Sequence, residues 1–163
     1  MKSDLRRAVL VVAAVVSALC FTTALPASAA PPNEQYDYTD PAQTGCSTSG
    51  VTIWAKDLRH PVSGLVTGRM EVRYSMVCET NWVRINTYVG GASARKIIQR
   101  YRTHAPAGGS VPFAEDNTVD TYLGWSYGLQ FYALSWVCIA VGGVIELNGE
   151  VIGSNGQALD QVC

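Results

Sequence analysis

One motif in the sequence, Gly124-Trp125-Ser126-Tyr127-Gly128, contains residue types that could perform covalent catalysis. Its Gly-x-Ser-x-Gly spacing matches the nucleophile elbow of α/β-hydrolases, where a strand–turn–helix presents the serine to an acid and a histidine further along the chain. No histidine follows Ser126, and the sequence lacks the alternating strand and helix patterns of such a fold. We therefore interpret the motif as part of a strand rich in glycine and aromatic residues.

The other groups capable of acid–base or metal chemistry are few. His60 lies three residues after Asp57, but a single loop histidine is more often a surface group than a catalyst. His104 borders a loop of proline and glycine and has no evident partner. Glu115 and Asp116 are adjacent, so on an extended chain their side chains point apart. No cysteine pair has zinc-site spacing. We expect no catalytic residue, no metal and no cofactor, which makes a small extracellular hydrolase a less favoured function.

Arginine and aromatic side chains in residues 68–89 are the best candidates for binding. Apolar and polar residues alternate there, which predicts two strands joined by a polar turn at Glu79-Thr80-Asn81. If the strands pair, their arginines share one face with Glu71. That face is either a solvated surface with weak ion pairs or a basic and aromatic binding surface. The candidate binding residues are Arg69, Arg73, Arg84, Trp82 and Tyr88.

Charge is distributed unevenly along the chain. Nine of the 12 Lys and Arg residues lie between Lys56 and Arg102, whereas residues 105–163 contain six acidic residues and no Lys or Arg. The two halves either neutralise each other by packing together or leave a basic surface for an anionic partner, such as a cell-wall polymer. The formal net charge of −1 gives no sign of a nucleic-acid partner.

The first 29 residues have the pattern of a secretory signal peptide. Basic residues at positions 2, 6 and 7 precede an apolar run, and Ala27-Ser28-Ala29 is a small-x-small cleavage site. A lipoprotein signal ending at Cys20 is the alternative, but Leu19 is not the small residue that such a signal needs before the cysteine. We expect secretion, cleavage after Ala29, an extended lead-in over residues 30–45 and one domain over residues 46–163.

Four cysteines remain after cleavage, at positions 46, 78, 138 and 163. An even number in an exported chain favours two disulfides, and four cysteines allow three pairings. We predict Cys46–Cys78 and Cys138–Cys163, because each bridge then closes within one half of the chain. Loops of this length contribute roughly 3–4 kcal/mol each in the chain-entropy model.

Short strand patterns separated by glycine turns predict an all-β fold, either a small antiparallel barrel or a sandwich. Residues 51–56 alternate as a strand, and residues 94–102 fit a strand or a helix, of which we favour the strand. The uncharged stretch 121–145 is long enough to span a membrane. Glycines interrupt it and no basic residue follows it, so we expect core strands near 129–134 and 136–141. Gly142-Gly143 and Asn148-Gly149 are predicted turns bounding strands at 144–147 and 150–152.

Residues 68–84, Gly-Arg-Met-Glu-Val-Arg-Tyr-Ser-Met-Val-Cys-Glu-Thr-Asn-Trp-Val-Arg, resemble the signature of a secreted actinobacterial family, domain of unknown function (DUF) 2690. That signature reads roughly Gly-x-Val-Glu-Leu-Arg-Tyr-Ser-x-x-Cys-x-Thr-x-Trp-Ala-Arg. The run from Asp40 to Cys46 resembles the family's Asp-Pro-x-x-Thr-Gly-Cys lead-in. The resemblance extends well over residues 36–90. It implies an extracellular β fold, supports a Cys46–Cys78 bridge and implies no activity. The family often has a further cysteine where this chain has Tyr36 and Tyr38.

These observations predict a secreted, non-enzymatic β domain that binds a cell-wall polymer or another partner at or beyond the cell envelope. The alternative is an inhibitor-like domain that docks on another secreted protein, such as a protease, through a rigid exposed loop. Residues 59–64 and 103–110 are the candidate loops. We expect no nucleic-acid partner and no membrane span after signal cleavage.

Overall fold

A computed structural model of the protein describes residues 33–101, 112–116, 119–121 and 123–163. The predicted signal peptide, His104 and the candidate loop 103–110 lie outside these residues. The described chain contains two short 3-10 turns, Glu34–Tyr36 and Cys46–Ser49. It also contains the following strands: β1 (Gly50–Arg59), β2 (Val66–Ser75), β3 (Thr80–Thr87), β4 (Ser93–Tyr101), β5 (Pro112–Asp116), β6 (Val119–Thr121), β7 (Gly124–Tyr127), β8 (Phe131–Tyr132), β9 (Ile139–Leu147), β10 (Glu150–Ser154) and β11 (Asp160–Val162).

The strands form one curled antiparallel sheet in the order β5-β4-β9-β10-β1-β2-β3-β7. Three short strands extend it, because β11 pairs with β9, β6 with β4 and β8 with β3. Register shifts in β1 between Thr52 and Trp54 and in β10 between Val151 and Gly153 mark irregular positions in the ladder. Such bulges bend a strand and increase its twist. The predicted all-β fold is confirmed.

The inner side of the curled sheet carries the core. Alternation along β2 and β3 turns Met70, Val72, Val83 and Ile85 inward, and all four are fully buried. The core continues through the other long strands with Leu58, Ala94, Ile98, Ile139, Val141 and Ile145. Burial of this apolar surface is the main force that holds the sheet in its curled form.

Both predicted disulfides are present, Cys46–Cys78 and Cys138–Cys163. Cys46 and Cys78 are buried, whereas Cys163 is exposed. Two disulfides are compatible with an oxidising compartment. Among the described residues, no helix is both long and apolar enough to cross a membrane.

The segment preceding β1 is hydrogen-bonded to the sheet. Tyr38 N donates to the Gln130 carbonyl and Gln130 N donates to the Thr39 carbonyl. The buried Gln130 side chain accepts from Thr80 Oγ1 at 2.8 Å and donates to Thr39 Oγ1 and Thr44 Oγ1 at 2.9 and 2.7 Å. Residues 38–45 are thus anchored to the end of the sheet.

Several predicted boundaries are wrong. Gly142 and Gly143 lie inside β9 rather than in a turn. The β2–β3 turn falls at residues 76–79, before the expected position, because Thr80 and Asn81 already pair with β2. Strand β8 is only two residues long, and β9 begins at Ile139 rather than 136. The Asn148-Gly149 turn and the strand preference for residues 94–101 are confirmed.

Candidate ligand-binding site

The register of β2, β3 and β7 places the predicted arginines together on the outer side of the sheet. Glu71 lies opposite Arg84, and Arg73 lies opposite Trp82. Strand β7 extends the same side, because Tyr127 lies opposite Arg84. The predicted sharing of one face by the arginines and Glu71 is confirmed. We call this surface the basic face and define it by Arg69, Glu71, Arg73, Arg84, Trp125 and Tyr127.

Glu71 is the central acid of the basic face, and it is only 9% exposed. Its Oε2 accepts hydrogen bonds from Arg84 Nε at 3.0 Å, Arg84 Nη2 at 2.7 Å and Thr52 Oγ1 at 2.9 Å. Arg69 Nε lies 3.4 Å from Oε1. Burial acts to raise the pKa of Glu71, but hydrogen bonds from Arg84 and Thr52 and the charge of Arg84 outweigh it and lower the pKa below its ordinary value. Glu71 is therefore ionised at neutral pH and fixes the position of Arg84.

Arg84 stacks on an aromatic surface. Its guanidinium carbon lies 4.1 Å from the Trp125 ring centroid and 6.0 Å from that of Tyr127. A cation over an aromatic ring at an exposed site gains about 0.5–1 kcal/mol. Tyr127 is half-exposed, so the basic face presents a cation and an aromatic ring side by side.

Arg73 differs from its neighbours, because it forms no ion pair with any carboxylate in the described part of the chain. Its Nη1 donates to Thr52 Oγ1 at 2.7 Å, and its Nη2 donates to the Gly50 carbonyl. Burial, followed by the positive charge of Arg84, lowers the pKa of Arg73. Two guanidinium groups therefore repel each other across this face while the nearby carboxylate is engaged by Arg84 and Arg69. An anion bound beside Arg73 would relieve that repulsion.

Of the two aromatic residues predicted to be exposed on this face, one is buried and the other is exposed. Trp82 is only 1% exposed, so the expectation that it is exposed is wrong. The backbone of Gly50 covers it, since a Cβ at Gly50 would lie 2.7 Å from Trp82 Cζ2. Tyr88 is 51% exposed, but it follows the far end of β3, roughly 20 Å along the strand from the level of Arg73. Tyr88 and Arg73 therefore cannot contact the same small ligand.

Trp125 and Tyr127 take the place expected for Trp82, although neither was predicted as a binding residue. The signal was present in the Gly-Trp-Ser-Tyr-Gly motif, because period-two alternation puts these two rings on the side opposite Ser126. Only the pairing of β7 with β3 shows that this side continues the basic face.

The acidic second half of the chain neutralises the basic half only in part. Lys56 Nζ lies 2.8 Å from Asp160 Oδ1, and Arg95 Nη2 lies 2.9 Å from Glu146 Oε1. Neither carboxylate pairs with an arginine of the basic face. Within the described residues, the ion pairs of that face come from Glu71 and Asp57, both from the basic half.

The groups considered for catalysis are not arranged for it. Ser126 lies on an antiparallel strand and is 2% exposed, and its Oγ has no hydrogen-bond partner among the described residues. His60 Nδ1 accepts from the backbone N–H groups of Val62 and Ser63, whereas Asp57 bonds to Arg59. Over the described ranges, no three His, Cys, Asp or Glu side chains are grouped to hold a metal ion.

No protein-family model matches the chain, and no curated protein or solved structure is significantly similar to it. The resemblance to DUF 2690 therefore stays a prediction, carried by the residues quoted from the segment 36–90.

Proposed function

We propose that the protein is a secreted, non-enzymatic β domain that binds an anionic polymer of the cell envelope through the basic face. The observation that carries the proposal is Arg73, a guanidinium group that Thr52 and the Gly50 carbonyl hold in place and that has no carboxylate partner among the described residues. A fixed cation loses little side-chain entropy when it binds an anion, which favours affinity. The signal-peptide pattern of residues 1–29 supports the extracellular location.

The composition of the basic face also supports an anionic partner. It carries three arginines and one carboxylate, and Arg84 and Tyr127 offer a cation and an aromatic ring together. Such a surface attracts anions over a distance of about a Debye length, roughly 8–10 Å at physiological salt. Binding through it should therefore weaken as the salt concentration rises.

The test is co-sedimentation of the purified secreted protein with insoluble actinobacterial cell wall at low and high salt. We expect binding at low salt that decreases at high salt. Arg73→Ala should weaken binding about ten- to a hundredfold, since a charge-assisted hydrogen bond contributes roughly 1.5–3 kcal/mol. The variant loses the hydrogen bonds to Thr52 and Gly50 but no ion pair with a described residue, so it should keep its fold, which circular dichroism checks.

Arg95→Ala is the matched control. Arg95 is a partly exposed arginine on β4, outside the basic face, and its partner is Glu146. It has the same charge and a similar exposure, so its replacement should leave wall binding nearly unchanged. Equal losses in the two variants would mean that net charge, rather than the basic face, causes binding. No binding at low salt would exclude the proposed function.

A second candidate function is supported by the β1–β2 loop, which is internally hydrogen-bonded and exposed. His60 N donates to the Leu65 carbonyl at 2.8 Å, Gly64 N to the His60 carbonyl at 2.9 Å and Arg59 Nη1 to the Gly64 carbonyl at 3.1 Å. Val62 at its tip is 89% exposed. A preordered apolar tip suits docking into a protein pocket, as in an inhibitor of a secreted protease. Protease inhibition that Val62→Asp abolishes would favour this function, and absence of inhibition would exclude it.

A further inference from the structure

A groove opens where β1 and β10 separate. These strands pair at one position only, Arg59 opposite Ser154. A cavity of about 610 Å³ lies at this seam, with the end of β1 and the following loop on one side and residues 154–157 on the other. Its volume lies within the range of small-molecule sites, about 300–1,000 Å³.

Hydrogen bonds hold both walls of the groove in place. Asn155 Oδ1 accepts from Gly143 N at 3.0 Å, and Asn155 Nδ2 donates to Asp160 Oδ2 at 2.8 Å. Asp160 in turn accepts from Lys56 Nζ at 2.8 and 3.0 Å, which ties the second wall to the first. On the other side, His60 Nδ1 accepts hydrogen bonds from two backbone N–H groups of its own loop. The groove is therefore formed before any ligand binds.

The walls retain hydrogen-bonding capacity toward the groove. Because Nδ1 of His60 is an acceptor, the proton of the neutral ring is on Nε2. The side chains of Ser154 and Gln157 form no hydrogen bond to any other described group. The ammonium group of Lys56 has three protons to donate, and Asp160 is its only hydrogen-bond acceptor among the described residues. Most of the described lining residues carry polar groups, and Pro61 adds an apolar surface. These groups can form hydrogen bonds with a ligand that carries hydroxyl groups.

The groove adjoins the basic face through Asp57. Its Oδ2 accepts from Arg59 Nη2 at 3.1 Å, and its Oδ1 lies 3.9 Å from Arg69 Nη1. Asp57 lines the groove, and Arg69 belongs to the basic face. A chain molecule that leaves the groove can therefore continue directly onto the arginines.

We propose that the groove is a saccharide subsite, which holds one sugar unit of an acidic polymer while the polymer's anionic groups lie on the basic face. This inference rests on the proposed function and narrows its partner to a polyanion that carries hydroxyl groups. Carboxylates or phosphates supply the charge equally well, because both accept hydrogen bonds from arginine.

The test is isothermal titration of the purified secreted protein with four probes of matched length. Oligogalacturonate and a phosphodiester-linked oligogalactose carry charge and sugar hydroxyl groups, polyphosphate carries charge alone, and maltohexaose carries sugar hydroxyl groups alone. We expect the first two probes to bind about tenfold more tightly than polyphosphate, as two or three added hydrogen bonds would give. Whichever of these two probes binds more tightly identifies whether the polymer's anionic groups are carboxylates or phosphates. The double variant Ser154→Ala/Gln157→Ala should remove this preference and leave polyphosphate affinity unchanged.

Gln161→Ala is the matched control, because Gln161 is an exposed glutamine on β11 outside the groove. If the double variant binds all probes with the affinity of the unmodified protein while Arg73→Ala lowers that affinity, the saccharide-subsite proposal is overturned and the proposed function stands. If maltohexaose binds as tightly as the acidic oligomers, the requirement for a charged polymer is overturned. If no anionic probe binds, the proposed function fails as well.

Discussion

At the scale of single residues, Glu71 determines the electrostatics of the basic face. Its lowered pKa means that the folded protein holds the charged form more tightly than the unfolded chain does. The resulting stability is present above the unfolded pKa of about 4.3 and is lost as the pH falls through the lower folded pKa. We expect Glu71→Gln to reduce the free energy of unfolding by about 2 kcal/mol at pH 7, and by much less at pH 3. Urea unfolding at the two pH values measures both differences.

Glu150→Gln is the control for this prediction, since Glu150 is an exposed acid in the β9–β10 hairpin and makes no ion pair with a described residue. It should change stability by less than about 0.5 kcal/mol at either pH. An equal loss at pH 7 and pH 3 in Glu71→Gln would contradict an electrostatic role for Glu71 and would indicate a packing effect.

Residue patterns predicted which side chains share a face but not how exposed each one is. Alternation placed Arg73, Arg84 and Trp82 on one side correctly, because a strand has a fixed period of two. The burial of Trp82 depends on Gly50, which is 32 positions earlier in the chain and reaches the ring through the β1–β2 pairing. No local pattern contains that contact.

At the scale of elements, the start of β1 packs directly on the ring of Trp82. A Cβ at position 50 would overlap the ring, so Gly50→Ala should force Trp82 or β1 to shift. Overpacking of this kind costs typically about 1–3 kcal/mol. We expect a lower urea midpoint and a changed near-ultraviolet circular dichroism spectrum. Gly90→Ala is the matched control, because a Cβ there meets no atom within 4 Å; a similar effect in both variants would refute the packing explanation.

The anchoring of residues 38–45 depends on Gln130, whose buried amide bridges Thr80, Thr39 and Thr44. Gln130→Ala leaves those hydroxyl groups without this partner, at a cost of about 1–3 kcal/mol. We expect faster amide hydrogen exchange in residues 38–45 than in the unmodified protein, while exchange in the β4–β9 pair stays slow. Uniformly faster exchange would show global destabilisation instead of local release.

Glycine pairs show where element prediction succeeds and where it fails. Asn148 and Gly149 have φ values of 53° and 84°, which the two-residue hairpin turn requires and which Asn and Gly tolerate. Gly142 and Gly143 serve a different purpose inside β9, since Cβ atoms there would meet Leu159 and Met70. Sequence alone does not distinguish a glycine needed for a turn from one needed for close packing.

At the scale of the whole molecule, the sheet order is not the chain order. Strand β9, from the acidic half, lies between β4 and β10 and contributes Val141 and Ile145 to the common core. The sequence predicted an all-β fold from local alternation, but the neighbours of each strand depend on pairings between distant segments. For the same reason, the adjacency of Trp125 to the basic face became visible only in the structure.

The two disulfides fasten different parts of this sheet and differ in accessibility. Cys46–Cys78 ties the turn before β1 to the β2–β3 turn and is buried, at 1% and 6% exposure. Cys138–Cys163 ties the start of β9 to the chain end beside β11, and Cys163 is exposed. Thiol–disulfide exchange requires access of the attacking thiolate to a sulfur atom. We therefore expect a graded series of dithiothreitol concentrations at neutral pH to reduce Cys138–Cys163 first.

Alkylation followed by peptide mass spectrometry identifies the cysteines reduced at each concentration. The partly reduced protein should keep its β circular dichroism, because the core between β2, β3 and β9 does not depend on the terminal bridge. Its free energy of unfolding should fall by about 3 kcal/mol, as loss of a loop of this length predicts. Cys138→Ala/Cys163→Ala should reproduce that loss without reductant. Simultaneous reduction of both bridges would mean that the end of the chain is as well protected as the core, contrary to its exposure in the structure.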